Sequence, residues 1–151
     1  MSQTLEQTNC SGYGLDVATW NDVIYLAVTC HTPEVTQVFT RRANDQTFSF
    51  AYTLRDKGNY RPCFFSSGDR FYLAVPNFSL VKDASMKIYR LVYGTFRTQF
   101  DLKSHSSYSV TVFEQHHDVY MFIARRMKLD IWQDGATVEE HLSWSPLFKF
   151  V

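Results

Sequence analysis

A unit of about fifty residues recurs three times along this chain, and recurrence at a constant step obliges a chain to fold as copies of one supersecondary piece. Three segments carry the anchor: Val23-Ile24-Tyr25-Leu26-Ala27-Val28, Arg70-Phe71-Tyr72-Leu73-Ala74-Val75 and Val119-Tyr120-Met121-Phe122-Ile123-Ala124. Their tyrosines, Tyr25, Tyr72 and Tyr120, stand 47 and then 48 residues apart (72 − 25 and 120 − 72). Downstream of each lies a β-branched residue followed by an aromatic one, in Gln37-Val38-Phe39-Thr40, Lys87-Ile88-Tyr89-Arg90 and Asp130-Ile131-Trp132-Gln133. A third segment runs from Thr47 to Leu54 and again from Thr95 to Leu102, with Ala136 to Leu142 as a shorter third copy. A closing segment, Arg61 to Phe65 and Ser109 to Phe113, ends seven residues before the following anchor tyrosine. The same offset before Tyr25 lands on Leu15 to Ala18, and Pro146 to Phe150 reads as a fourth copy.

All these segments are short and rich in Val, Ile, Tyr, Phe and Thr. Turn residues separate them: Asn21-Asp22, Gly68-Asp69, Tyr93-Gly94 and Asp134-Gly135. That composition and punctuation read as strands and hairpins. No stretch combines a helical apolar stripe with caps, so little or no helix is expected. The expected fold is all-β, with three four-stranded blades of the β-propeller kind. A β-trefoil is the alternative, since it too has three repeats of this size. Small alanine beside large aromatics in Tyr-Leu-Ala-Val favours closely stacked sheets. Residues 1–14 read as an N-terminal extension and 15–151 as one repeat domain, with units at 15–61, 62–109 and 110–151.

The middle copy, Gly68-Asp69-Arg70-Phe71-Tyr72-Leu73-Ala74-Val75-Pro76-Asn77, then Ser85-Met86-Lys87-Ile88-Tyr89-Arg90, Gly94-Thr95-Phe96 and Gln99, resembles the epitempin repeat, also called the epilepsy-associated repeat. The resemblance extends over about residues 15 to 150 and is best in that middle copy. In leucine-rich glioma-inactivated proteins and some receptor ectodomains this repeat builds a seven-bladed propeller that binds other cell-surface molecules. The resemblance therefore implies propeller blades, recognition as the task and an extracellular setting.

Three blades do not close a ring, and an open arc leaves sheet faces and edges in water, which invites association. A homo-oligomer is expected, most simply a dimer of six blades. Residues 15–18 and 146–150 are the strands through which one chain would complete the outer blade of another.

Lys plus Arg and Asp plus Glu both number 15, so no net field draws the chain to nucleic acid or to an anionic membrane. The longest uninterrupted apolar run, Val23 to Val28, is far below the ~20 residues of a membrane span. Residues 1–20 show neither the basic start nor the apolar run of a secretory signal, so the sequence itself leaves the compartment open. Cys10, Cys30 and Cys63 are an odd set without CxxC spacing. Three small buried thiols are the favoured reading, one bridged pair the alternative. Asn9-Cys10-Ser11 and Asn77-Phe78-Ser79 fit the glycosylation sequon, which chance supplies at about this frequency.

No catalytic motif stands out: Phe65-Ser66-Ser67-Gly68 is not a nucleophile elbow, and Gly12-Tyr13-Gly14 lacks the third glycine and helix of a phosphate cradle. His116-His117 would point to opposite faces of a strand and so could not chelate one ion together. The expectation is a non-enzymatic binder with no metal and no cofactor. Phe, Tyr and Trp make up 17% of the chain, more than three small cores need, so some are expected on contact surfaces. The candidate ligand-binding residues cluster before and after each anchor strand. They are Asn21, Asp22 and His31; Asp69 and Asn77; and His117, Asp118 and Arg125, beside Trp20, Phe78 and Trp132. The expected function is lectin-like, multivalent binding of glycans. The alternative is a protein-binding module of the epitempin-repeat type at cell surfaces.

Overall fold

The computed structural model describes residues 10–55, 60–77, 85–103, 107–125 and 147–150. They are almost wholly strands and tight turns, with no helix among them, hence none long and apolar enough to cross a membrane. The first sheet is the meander β1 (Gly12–Trp20), β2 (Val23–Cys30), β3 (Val35–Arg42) and β4 (Ser49–Arg55). The second repeats it as β5 (Cys63–Ser67), β6 (Arg70–Val75), β7 (Ser85–Val92) and β8 (Thr95–Lys103). The third holds β9 (Ser107–Gln115), β10 (Asp118–Arg125) and β11 (Leu147–Phe150) in the order β11-β10-β9. The three anchor segments are thus equivalent strands, β2, β6 and β10. The expected strands at 130–133 and 136–142 lie outside the described residues.

The hairpins follow from turn chemistry. Asn21-Asp22 (φ 47° and 61°), Tyr93-Gly94 (49° and 79°) and His116-His117 (52° and 66°) place both central residues in the left-handed region. Such turns carry the twist that joins antiparallel neighbours, and Asn, Asp, His and Gly tolerate it best. Gly68 does the same in the β5–β6 turn (φ 59°).

Stacking follows from the period of two in a strand. On β6, Phe71, Leu73 and Val75 point to one face and Tyr72 and Ala74 to the other; all five are buried. The first set packs against Tyr25, Ala27, Val38 and Leu54 of the first sheet. The second packs against Val110, Val119, Met121 and Ile123 of the third. The middle sheet is therefore apolar on both faces and lies between its neighbours, with Tyr25 and Tyr72 each turned toward the sheet that follows. Trp20 is part of this packing, its ring stacked on Phe71 at 5.3 Å. The Phe96 N–H donates to the Tyr52 hydroxyl at 3.1 Å, tying β8 to β4. Burial pushes the Tyr52 phenol well above its usual range, so it stays neutral.

The first strands of the three sheets converge: β1 lies against β5, β5 against β9, and Arg61 and Ser109 form a parallel bridge. The approach is so close at β1 that a Cβ added to Gly14 would lie 2.8 Å from the Cα of Arg61. Gly14→Ala is expected to cost about 1–3 kcal/mol, the usual range for overpacking, read as a lowered urea midpoint; an unchanged midpoint would show that the strands separate easily. Apart from the Arg61–Ser109 bridge, strand pairing among the described residues stays within each repeat. A closed trefoil barrel requires ladders that continue from one repeat to the next.

Two expectations are corrected. Cys10 and Cys30 form a disulfide (Cα–Cα 5.1 Å), leaving Cys63 as the free thiol. The hairpin register opposes Gly12 to Cys30, and the His31 N–H donates to the Ser11 carbonyl, which brings Cys10 alongside. Pro146 to Phe150 is not a fourth closing strand. Leu147–Phe150 pairs with β10 on the side away from β9, the slot that β3 and β7 hold in the other sheets. In the single chain both of these strands pair within their own sheets, β1 with β2 and β11 with β10.

Candidate functional site

The converging first strands create a distinctive surface among the described residues. Applying the repeat step to Tyr13 leads to Tyr60 and then Tyr108, again 47 and 48 residues apart. Because these tyrosines occupy one position in three stacked repeats, their rings form a row. Tyr13 and Tyr60 have centroids 5.1 Å apart, and Tyr60 and Tyr108 4.9 Å apart, all tilted rather than parallel. His31 extends the row, its ring edge-on to Tyr13 at 5.0 Å. Tyr13, Tyr108 and His31 are exposed, and Tyr60 is half-buried.

Directly below the row, the next residues of the same strands line a cleft of about 300 Å³, among them Asp16, Arg61, Cys63, Ser109 and Thr111. Arg61, adjacent to Tyr60, is exposed and provides a fixed fork of donors. Asp16 has a structural task, since its Oδ2 accepts the Phe64 N–H at 2.6 Å across the joint between sheets. Cys63 occupies the same repeat position one sheet on, and its thiol donates to the Phe64 carbonyl at 3.6 Å. Burial first, and the nearby Asp16 charge second, push the Cys63 thiol up to about 11, so at neutral pH it is a protonated packing group and not a nucleophile. Among the described residues no three His, Cys, Asp or Glu side chains converge to hold a metal ion.

The residues expected from sequence divide between two ends of the sheets. Asn21, Asp22, Asp69, His117 and Asp118 lie at the turns that lead into β2, β6 and β10. His31 and Asn77 follow β2 and β6 at the opposite end. An eight-residue strand spans roughly 25 Å at ~3.3 Å per residue, so no single sugar touches both groups. Asp22 is held by its turn, and Asp118 pairs with Lys149 at 2.7 Å. Asn77 Oδ1 is buried and makes no hydrogen bond to a described residue. Trp20 is packing, as above. Arg125 is the last residue of β10, while Phe78 and Trp132 lie outside the described residues. Of the expected residues whose side chains are described, only His31 belongs to the tyrosine row.

No protein-family model matches the chain, and no curated protein matches it either.

Proposed function

We propose that this chain is a non-enzymatic recognition domain of propeller-type blades that binds glycans along the row of Tyr13, Tyr60 and Tyr108. The row itself carries the reading: a fold that repeats one aromatic position three times presents three similar weak contacts side by side, which is how avidity is built. A sugar ring stacks its apolar face on an aromatic ring, and Arg61, His31 and Ser109 supply hydrogen-bonding groups for its hydroxyls. A cleft whose acid serves a backbone amide and whose thiol stays protonated suits binding rather than catalysis. The Cys10–Cys30 bridge fits an oxidising, extracellular setting, as does the resemblance to the epitempin repeat. That resemblance also favours a second reading, in which the same exposed tyrosines are hot-spot contacts for a cell-surface protein.

A glycan array read with the parent chain and with Tyr13→Ala and Tyr108→Ala separates these. Each lost stacking contact is worth about 0.5–1.5 kcal/mol, so each variant is expected to bind roughly three- to tenfold more weakly. Asp22→Asn, at the opposite end, is expected to bind as the parent does. Tyrosine variants that bind every glycan unchanged would overturn the reading. A protein partner lost on the same substitutions, with no inhibition by sugars, would establish the second one.

A further inference from the structure

We propose that the two outer faces of the three-sheet stack bind each other between two copies of this chain, head to tail, so that the pair closes into one ring of six sheets. The proposal rests on the stacking rule within the chain and not on the identity of any ligand. In each sheet the face that carries the anchor tyrosine is its front, and the opposite face its back. At both internal joints a front meets the next back.

The outer faces carry the residues that this rule requires. The back of the second sheet uses Phe64, Phe71 and Leu73, and that of the third Val112, Val119 and Met121. The repeat step places Val17, Ile24 and Leu26 at those positions on the first sheet. Phe64 is 8% exposed under its neighbour, whereas Val17 at the same position is 54% and the adjoining Leu15 68% exposed, with Ile24 and Leu26 half-buried. On the front of the third sheet, Phe113 is 42% and Phe122 40% exposed. Phe113 stacks on Tyr120 at 5.5 Å and 17°, as Phe65 stacks on Tyr72 at 5.1 Å and 13° where that front is already covered.

Size and hydrogen bonding agree with the same pairing. At the first joint Ala18, Tyr25 and Ala27 face two phenylalanines and a leucine, a slim front against a bulky back. The outer faces are complementary in the reverse sense. Phe113, Tyr120 and Phe122 form a bulky front, and Val17, Ile24 and Leu26 a slim back, so the volumes sum to a filled layer. At the first joint a backbone N–H of one first strand meets a side-chain acceptor of the preceding one, Phe64 with Asp16. The repeat step puts Thr111 at the acceptor position of the third sheet and Val17 of the other copy at the donor position. The formal net charge is zero, so two copies meet without mutual repulsion. A front is not a back, so the contact is heterologous; two such joints close a ring, and six sheets fall within the four to eight of known propellers. Closure brings Tyr108 of one copy toward the end of the row that Tyr13 and His31 form on the next.

Sedimentation equilibrium of the full chain at micromolar concentration, with circular dichroism to check that each variant keeps its strands, tests this. The parent is expected at twice 17.6 kDa. Val17→Asp, which spoils only the back, and Phe122→Asp, which spoils only the front, are each expected at the single mass. Mixed together, the two variants retain one intact front and one intact back between them, and a one-to-one pair is expected. A parent at 17.6 kDa would overturn the proposal and assign the faces to another occupant. A variant that stays dimeric alone, or a mixture that stays monomeric, would overturn the head-to-tail arrangement.

Discussion

Phe71→Ala is expected to lower the stability of the chain by about 3–5 kcal/mol, the usual cost of emptying a large aromatic site in a core. Its ring lies at the middle of the first joint, stacked on Trp20 and Phe64, both at 5.3 Å, and tilted against Tyr25 and Phe96 at 5.4 and 5.8 Å. Neighbours on four different strands cannot all collapse into the vacated volume, so the cavity term adds to the lost burial. Against a total of roughly 5–15 kcal/mol for a domain, the variant is near the limit of folding. The check is a urea titration followed by far-ultraviolet circular dichroism. A shift below 1 kcal/mol would mean that the first and second sheets do not stack on this ring.

Removing the Cys10–Cys30 bridge by the double change Cys10→Ala and Cys30→Ala is expected to cost about 3 kcal/mol, because the bridge closes a loop of 20-residue separation that the unfolded chain must otherwise search. Reduction of the parent is expected to lower its thermal midpoint by the same order, roughly 6–12 °C for a chain of this size. Equal midpoints for the oxidised and reduced protein would show that the β1–β2 hairpin holds itself together without the bridge.

How far the sequence disclosed this structure depends on which force decides each feature. The anchors were legible because Tyr-Leu-Ala-Val and its copies recur at a fixed step, and what fixes β2, β6 and β10 is the same alternation that makes them recur. The hairpins were legible for a local reason, since Asn-Asp and Tyr-Gly carry their turn chemistry with them. Leu147–Phe150 was misassigned because its apolar, aromatic character suits a closing strand equally well; which neighbour it pairs with depends on the free edge of β10, a tertiary fact. The disulfide escaped for a similar reason, as Cys10 meets Cys30 only through the register of a hairpin. The candidate site was read from the polar turns around the anchors, yet strand direction sends those turns to opposite ends of the sheets. Tyr13, Tyr60 and Tyr108 obey the same 47 and 48 step and could have been found by it. They were missed because a single tyrosine outside an apolar run carries no pattern of its own.

The most direct test of recognition along the first strands is a titration of the chain carrying ¹³C-labelled tyrosine rings, followed by NMR, with the methyl glycosides of galactose, mannose and N-acetylglucosamine as probes. Nine tyrosines report at once. The ring signals of Tyr13, Tyr60 and Tyr108 are expected to move together and saturably with at least one probe, while those of the buried Tyr25, Tyr72 and Tyr89 and of Tyr93 in the β7–β8 turn stay in place. Shifts confined to other tyrosines, or none with any probe at saturating concentration, would contradict a glycan site on the tyrosine row.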